Sequence, residues 1–206
     1  MRLGVLASGD GSNLASLIAR ANSKLMPAEV AAVASNRPDC GALVIAHRAS
    51  IPHAAFPLRQ FPDAASRDHE MRTFLEANGC GLVVAAGYDR ILSGQFVQSL
   101  SGRVINIHPS LLPAFAGRMD AISAAIEYGV KVTGVTIHFV EEDVDGGAVI
   151  AQEAVAVRCD DDLASLTERI HEVEHRLLAE VITRFAQGHV KRQGRRVVLS
   201  DSGGSR

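Results

Sequence analysis

Cysteine is scarce in this chain. Cys40, Cys80 and Cys159 are three in number, far apart, and form no CxxC pair. That pattern excludes a disulfide framework and a zinc knuckle and fits a reducing compartment. Long apolar runs are missing too. No stretch reaches eighteen apolar residues, and Met1-Arg2-Leu3 opens directly into a short run that Ser8-Gly9-Asp10-Gly11 interrupts, with no signal-peptide core. A membrane partner is therefore not expected, and a cytoplasmic location is the default. Charge of one sign is absent: a net charge of −2 over 206 residues argues against a general nucleic-acid binder. Lys191, Arg192, Arg195 and Arg196 are locally basic and read as a solvated edge strand. Several motifs are lacking as well. No GxSxG elbow, no GK[ST] and no complete GxGxxG occurs, which removes the usual hydrolase, Walker A and dinucleotide signatures.

What remains is the composition of a globular protein, 47% hydrophobic and 21% charged, long enough to bury a sizeable core. Residues 3–7 form a short apolar run suited to a buried parallel strand. A glycine turn follows, then a helical stripe of Leu14, Leu17, Ile18 and Ala21. Residues 29–35 read as a strand, 41–49 as a helix, 51–56 as a short strand and 66–78 as a helix closed by Gly79. Residues 82–86 are a further buried strand that breaks at Gly87, with a helix starting near Ser93 and another strand at 104–108. This alternation predicts an α/β fold with a doubly wound, mostly parallel sheet and right-handed crossovers. Residues 131–140 and 149–157 predict an antiparallel C-terminal strand pair around an acidic, glycine-ended loop. Asp160-Asp161-Asp162 opens a long C-terminal helix reaching Gln187, and 190–199 reads as one final edge strand. A single domain over residues 1–200 is expected, with a polar, glycine-rich, disordered tail at 201–206.

Two stretches carry candidate chemistry. In Val104-Ile105-Asn106-Ile107-His108-Pro109, the polar residues are two apart and leave one face of a strand, and Pro109 ends the ladder. An amide and an imidazole thus meet at the carboxyl end of a strand, where open α/β sheets bind ligands. The same pattern also suits polar residues that merely satisfy nearby backbone. Ser8-Gly9-Asp10-Gly11-Ser12-Asn13 sits between a strand and a helix start, an arrangement that cradles a phosphate on free N–H groups. It equally suits a tight turn with Ser12 or Asn13 as the N-cap. Asp145, directly before Gly146-Gly147, is a third candidate. Beside His108 it would favour the charged ring, and Asn106, His108 and Asp145 together would suit an oxyanion.

Asn106-Ile107-His108-Pro109-Ser110-Leu111-Leu112-Pro113 resembles the signature of the folate-dependent formyltransferases. Leu6 to Leu14, Ala34-Ser35-Asn36, Gly87-Tyr88-x-Arg90-Ile91-Leu92-Ser93, Val132-x-Gly134-x-x-x-His138-Phe139-Val140, Val144-Asp145-Gly146-Gly147 and Glu174-His175 resemble, in order, the branch that formylates phosphoribosylglycinamide. The resemblance covers residues 3 to about 190 and implies a Rossmann-like formyltransferase fold. It implies 10-formyltetrahydrofolate as co-substrate, no metal, and the third step of de novo purine synthesis. Asn106, His108 and Asp145 become the catalytic trio. Gly11, Ser12 and Asn13 are implied to hold the acceptor's phosphate, with Glu174 and His171 at its ribose. Asp89, Arg90, Ile91 and Leu92, with Glu141, Glu142, Asp143 and Val144, are implied to hold the pterin, and Arg67 the benzoylglutamate part. Small-molecule partners are expected, without nucleic acid or membrane; monomer and homodimer stay equally open. Two features depart from relatives: Asp89 replaces a frequent Met, and Gly117-Arg118-Met119-Asp120-Ala121 lacks the usual His residues and is one residue longer.

Other readings compete. A formyltransferase acting on methionyl-tRNA would add an RNA-binding domain, and a formyltetrahydrofolate hydrolase would add a regulatory one. A non-catalytic nucleotide-binding module leaves Asn106, His108 and Asp145 without a role. A Ser110-His108-Asp145 hydrolase lacks the nucleophile elbow.

Overall fold

The computed structural model describes residues 1–200; the tail expected at 201–206 lies outside them. In chain order the elements are β1 (Arg2–Leu6), α1 (Ser12–Asn22), β2 (Glu29–Ser35), α2 (Gly41–Arg48), β3 (His53–Ala55), α3 (Ala64–Ala77), β4 (Leu82–Ala86), α4 (Gly94–Ser99), β5 (Val104–His108), α5 (Ala121–Tyr128), β6 (Val132–Phe139), β7 (Val149–Ala156), α6 (Leu163–Ala186), β8 (Val190–Gln193) and β9 (Arg196–Leu199).

Strand periodicity decides the layering. Leu3 and Val5 of β1, with Ala7 just beyond it, lie on one face and pack with Leu14 and Leu17 of α1 and with Ile170, Leu178 and Ile182 of α6. Leu6 leaves the other face and packs with Met71 and Leu75 of α3 and Phe96 of α4. Helices thus cover both faces of the sheet, as a parallel sheet requires. Each large apolar side chain withdrawn this way contributes about 2 kcal/mol. The strand order is β3-β2-β1-β4-β5-β6-β7. The first five strands run parallel, while β6 is antiparallel to β5 and β7 to β6. The doubly wound sheet, the antiparallel pair and the long C-terminal helix are all present.

Element bounds shift by a residue or two in several places, and two differences from the sequence reading have a clear cause. α3 starts at Ala64 because Asp63 takes the cap, its carboxylate accepting from the Ser66 N–H at 2.7 Å. The C-terminal segment is not one edge strand. It folds as a separate two-stranded hairpin, β8 on β9, turning at Gly194 with φ +61°. Glycine adopts that left-handed conformation without a Cβ clash, and the turn reverses the chain there.

Candidate active site

β5 ends where the polar groups gather. In the β5–β6 ladder Asn106 stands opposite His138, so the two side chains share one face. The Asn106 amide nitrogen lies 3.1 Å from His138 Nε2. His138 Nδ1 is 2.8 Å from the Phe139 carbonyl, to which it donates. Residues 140–148 then turn back over this face. Asp145 sits at φ +52°, a left-handed conformation that Asp tolerates better than most residues. Its Oδ2 lies 3.4 Å from His108 Nδ1, and its Oδ1 lies 3.4 Å from the Asn106 amide nitrogen and 3.5 Å from His138 Nε2.

The segment after Pro113 closes over the same groups. The Gly117 N–H donates to Asp145 Oδ2 at 2.7 Å, and the Phe115 carbonyl lies 3.1 Å from His108 Nε2. Burial opposes ionisation of Asp145, yet the rings of His138 and His108 and the Gly117 N–H hold its pKa down to about 2. Asp145 is a fixed negative charge at any physiological pH. For His108, burial lowers the pKa, and the opposing pull of Asp145 and the Phe115 carbonyl does not overcome it. Asp145 thus favours the charged ring, as expected, and desolvation opposes it more strongly. Desolvation outweighs one carboxylate at 3.4 Å, and the resting imidazole is neutral near pH 7.

A cleft of about 620 Å³ runs past this cluster. At one end stands the N-terminus of α1. Gly11, not Ser12 or Asn13, is the N-cap, and no side chain caps the helix. The first-turn N–H groups face the cleft with the positive end of the helix dipole behind them. Gly11 has φ +84°, and a Cβ there would meet the Ala42 Cα of α2 at 2.8 Å. The glycine is thus required by packing as well as by the turn. Asn13 Nδ2 donates to Glu174 Oε2 of α6 at 3.0 Å, while Asn13 Oδ1 is buried and has no partner. Burial raises the pKa of Glu174, against the Asn13 amide and the nearby His171.

The other end is walled by residues 87–92 and the acidic loop. Asp89 binds three strand ends together. Its carboxylate accepts from Asn36 Nδ2 at 2.8 Å and pairs with Arg37, and its backbone N–H donates to Ser8 Oγ at 3.0 Å. These partners hold the Asp89 carboxyl below the usual carboxylate range despite partial burial. Glu142 accepts from Gln98 of α4 at 2.6 Å.

Gly11, Ser12, Asn13, Asp89 to Leu92, Asn106, His108, Glu141 to Asp145, His171 and Glu174 all line this one cleft. Arg67 does not. It is 2% exposed, bonds Asp68 through Nε at 2.8 Å, and donates from Nη2 to the Ile91 carbonyl at 3.3 Å. A buried guanidinium must be paired, and its neighbour Asp68, which also accepts from the Ser93 N–H at 2.6 Å, supplies the partner. Arg67 therefore braces the cleft wall from behind. The sequence reading left three contributors without a role: His138, the Ser8–Asn36–Arg37 support of Asp89, and the backbone of residues 115–117. His138 was findable, since it alternates in phase with Thr136 on the strand read at 131–140 and falls within the motif from Val132 to Val140. The backbone contacts carry no side-chain signal. Among the described residues no group of three or more His, Cys, Asp or Glu is placed to hold a metal ion.

Residues 1–182 match the family described as formyl transferase. The chain is 38% identical to phosphoribosylglycinamide formyltransferase of Haemophilus influenzae over 92% of this chain and 89% of that one. It is 41% identical to the protein of the same name from Mycobacterium tuberculosis, over 96% and 91%. The crystal structure of glycinamide ribonucleotide transformylase 1 from Symbiobacterium toebii superposes with a TM-score of 0.93 at 40% identity, covering 98% of this chain and 94% of that one. Alongside the strand order, the glycine turn and the Asn106–His108–Asp145 cluster, these likenesses show that the chain belongs to the formyl transferase family, among the phosphoribosylglycinamide formyltransferases.

Proposed function

We propose that this chain transfers the formyl group of 10-formyltetrahydrofolate to the amine of phosphoribosylglycinamide. The observation that carries the reading is the position of Asn106, His108 and Asp145 midway along one cleft. An uncapped helix N-terminus and a buried carboxylate lie at one end, and two loops rich in backbone groups at the other. An anionic, ribose-bearing acceptor suits the first end: the N–H groups of Ser12 and Asn13 meet its phosphate, and Glu174 with His171 meets its hydroxyls. Asn13 Oδ1, buried and unpartnered, is a ready acceptor for such a hydroxyl. The pterin suits the second end, against residues 89–92 and 141–144.

The chemistry follows from the groups. The neutral amine attacks the formyl carbon, and the carbonyl electron pair moves to oxygen. Asn106 and His108 stabilise that oxyanion by donating to it. His108 is neutral at rest, so its protonation is coupled to the reaction: the developing negative charge raises its pKa, and the proton released by the attacking nitrogen supplies it. Asp145 stays ionised, balances the imidazolium and orients the ring through Nδ1. Collapse of the intermediate restores the carbonyl and breaks the bond to folate N10, which takes a proton as tetrahydrofolate leaves. No residue role here requires a metal. The test is turnover of 10-formyltetrahydrofolate with and without phosphoribosylglycinamide. Acceptor-dependent formation of tetrahydrofolate supports the reading. Acceptor-independent release of formate would replace it with a deformylase, and no turnover would leave a binding module.

A further inference from the structure

Residues 140–147 carry Asp145 but contain little that can hold them in place. They are mostly acidic or glycine, and Asp145 itself adopts a left-handed backbone. The loop is secured from outside. Gly147 packs so close to the Phe139 carbonyl that a Cβ would lie 1.8 Å from its oxygen. Gln98 holds Glu142. The third anchor comes from the C-terminal hairpin, which the sequence reading left as a solvated edge. Arg192 of β8 forms an ion pair with Glu141. Its guanidinium carbon also lies 5.6 Å from the centroid of the Phe139 ring, which meets Phe185 of α6 edge-on at 5.9 Å. Arg192 Nε donates to the Gly194 carbonyl at 2.7 Å, so the hairpin's own turn orients the fork. The hairpin is itself docked, since Val190, Val197 and Leu199 pack against the main core.

We propose that Arg192 is a positioning residue for formyl transfer, holding the loop that carries Asp145 through Glu141 and making the C-terminal hairpin part of the active-site support. This rests on the function proposed above for the kinetic consequence, and on geometry alone for the brace. Arg192 is not part of the cleft lining and acts through Glu141, which is. Its pair is partly exposed, so its effect is modest: such an ion pair plus one cation–π contact is expected to change rates roughly two- to fivefold.

The decisive measurement needs no substrate. Amide hydrogen exchange across residues 141–146 is compared between the wild type and R192M, which keeps an unbranched apolar stem. Faster exchange in that loop, with an unchanged melting temperature, supports the brace; unchanged exchange overturns it. Kinetics then read the consequence. R192M is expected to raise the donor KM and lower kcat by that factor, with the acceptor KM steady. R192K, which keeps the charge but not the planar fork, should recover part of the loss. E141Q should match R192M, and the double variant should lose no more than either single one. Equal losses toward both substrates together with a lowered melting temperature would show general destabilisation and overturn the proposal. Should the wild-type protein fail to formylate phosphoribosylglycinamide, the functional reading fails, while the exchange comparison still decides the brace.

Discussion

His108 faces an acceptor at each ring nitrogen, Asp145 at Nδ1 and the Phe115 carbonyl at Nε2, and only the protonated ring donates to both. The D145N variant tests the first contact. It is nearly isosteric, so folding should survive, but the imidazolium loses its counter-charge. The rate should fall by about 3 kcal/mol of transition-state stabilisation, on the scale of a lost oxyanion donor. NMR titration should find the His108 pKa lower still. A pKa and a kcat that both stay put would remove Asp145 from the chemistry. Stability has its own signature. Asp145 ionises more readily in the folded protein than at its ordinary value of 3.8, so its contribution is full above that value and is lost as pH falls toward 2. His108 is harder to protonate than the ordinary 6.5, so the unfolded chain gains protons first and stability declines as pH falls through that value. Acid unfolding of H108Q should lack the second decline. Asp89 makes a separate prediction: D89N keeps the size but weakens the pair with Arg37, and should raise the donor KM while the acceptor KM holds. At this scale the sequence was legible where spacing alone decides geometry. Asn106 and His108 share a face because they are two apart. Arg67 is kept off the cleft lining by burial and by its pair with Asp68, which depend on where α3 lands and which no local pattern encodes.

The N-terminus of α1 shows how an element constrains such tests. A substitution at Gly11 looks like a probe of phosphate binding, but any Cβ there meets α2 and must take φ +84°. G11A is expected to cost about 1–3 kcal/mol of stability from the strained backbone and more from the clash, seen as a lowered melting temperature. S12A is the cleaner probe. It keeps the helix and its N–H groups and should raise the acceptor KM modestly with folding intact. A loss in S12A equal for both substrates would argue against phosphate binding at this turn. The elements themselves were legible almost throughout, because buried strands and amphipathic helices announce their periods. β8 and β9 were read as one strand because the stretch is short and mostly polar, so only Gly194 marks the turn within it. Asp63 advanced the start of α3 for a similar reason: one side chain moves a boundary without changing the pattern.

At the scale of the whole molecule, the cleft draws on residues from Gly9 to Glu174, so it exists only when the sheet is complete. Ligand binding should therefore stabilise the entire fold. Phosphoribosylglycinamide at 100 times its dissociation constant adds about 2.7 kcal/mol, which for a chain of this size raises the melting temperature by roughly 5–10 °C. A shift absent in thermal unfolding would detach the acceptor from this cleft. The hairpin of β8 and β9 has one more consequence, and it is colloidal. β7 is an outer strand of eight residues, with Val149, Ile150, Ala151, Ala154, Val155 and Ala156 along it, whereas the opposite edge, β3, has three residues. β9 packs beside β7 without joining its ladder, and so screens an edge whose backbone groups are otherwise open to pairing with another copy. A chain truncated after Gln187 should scatter light increasingly with concentration, under conditions where the full chain stays clear. Introducing a lysine at Ala154 should suppress that scattering by placing charge on the bared edge. A truncated chain that remains monodisperse would mean that the charges already on β7 are protection enough.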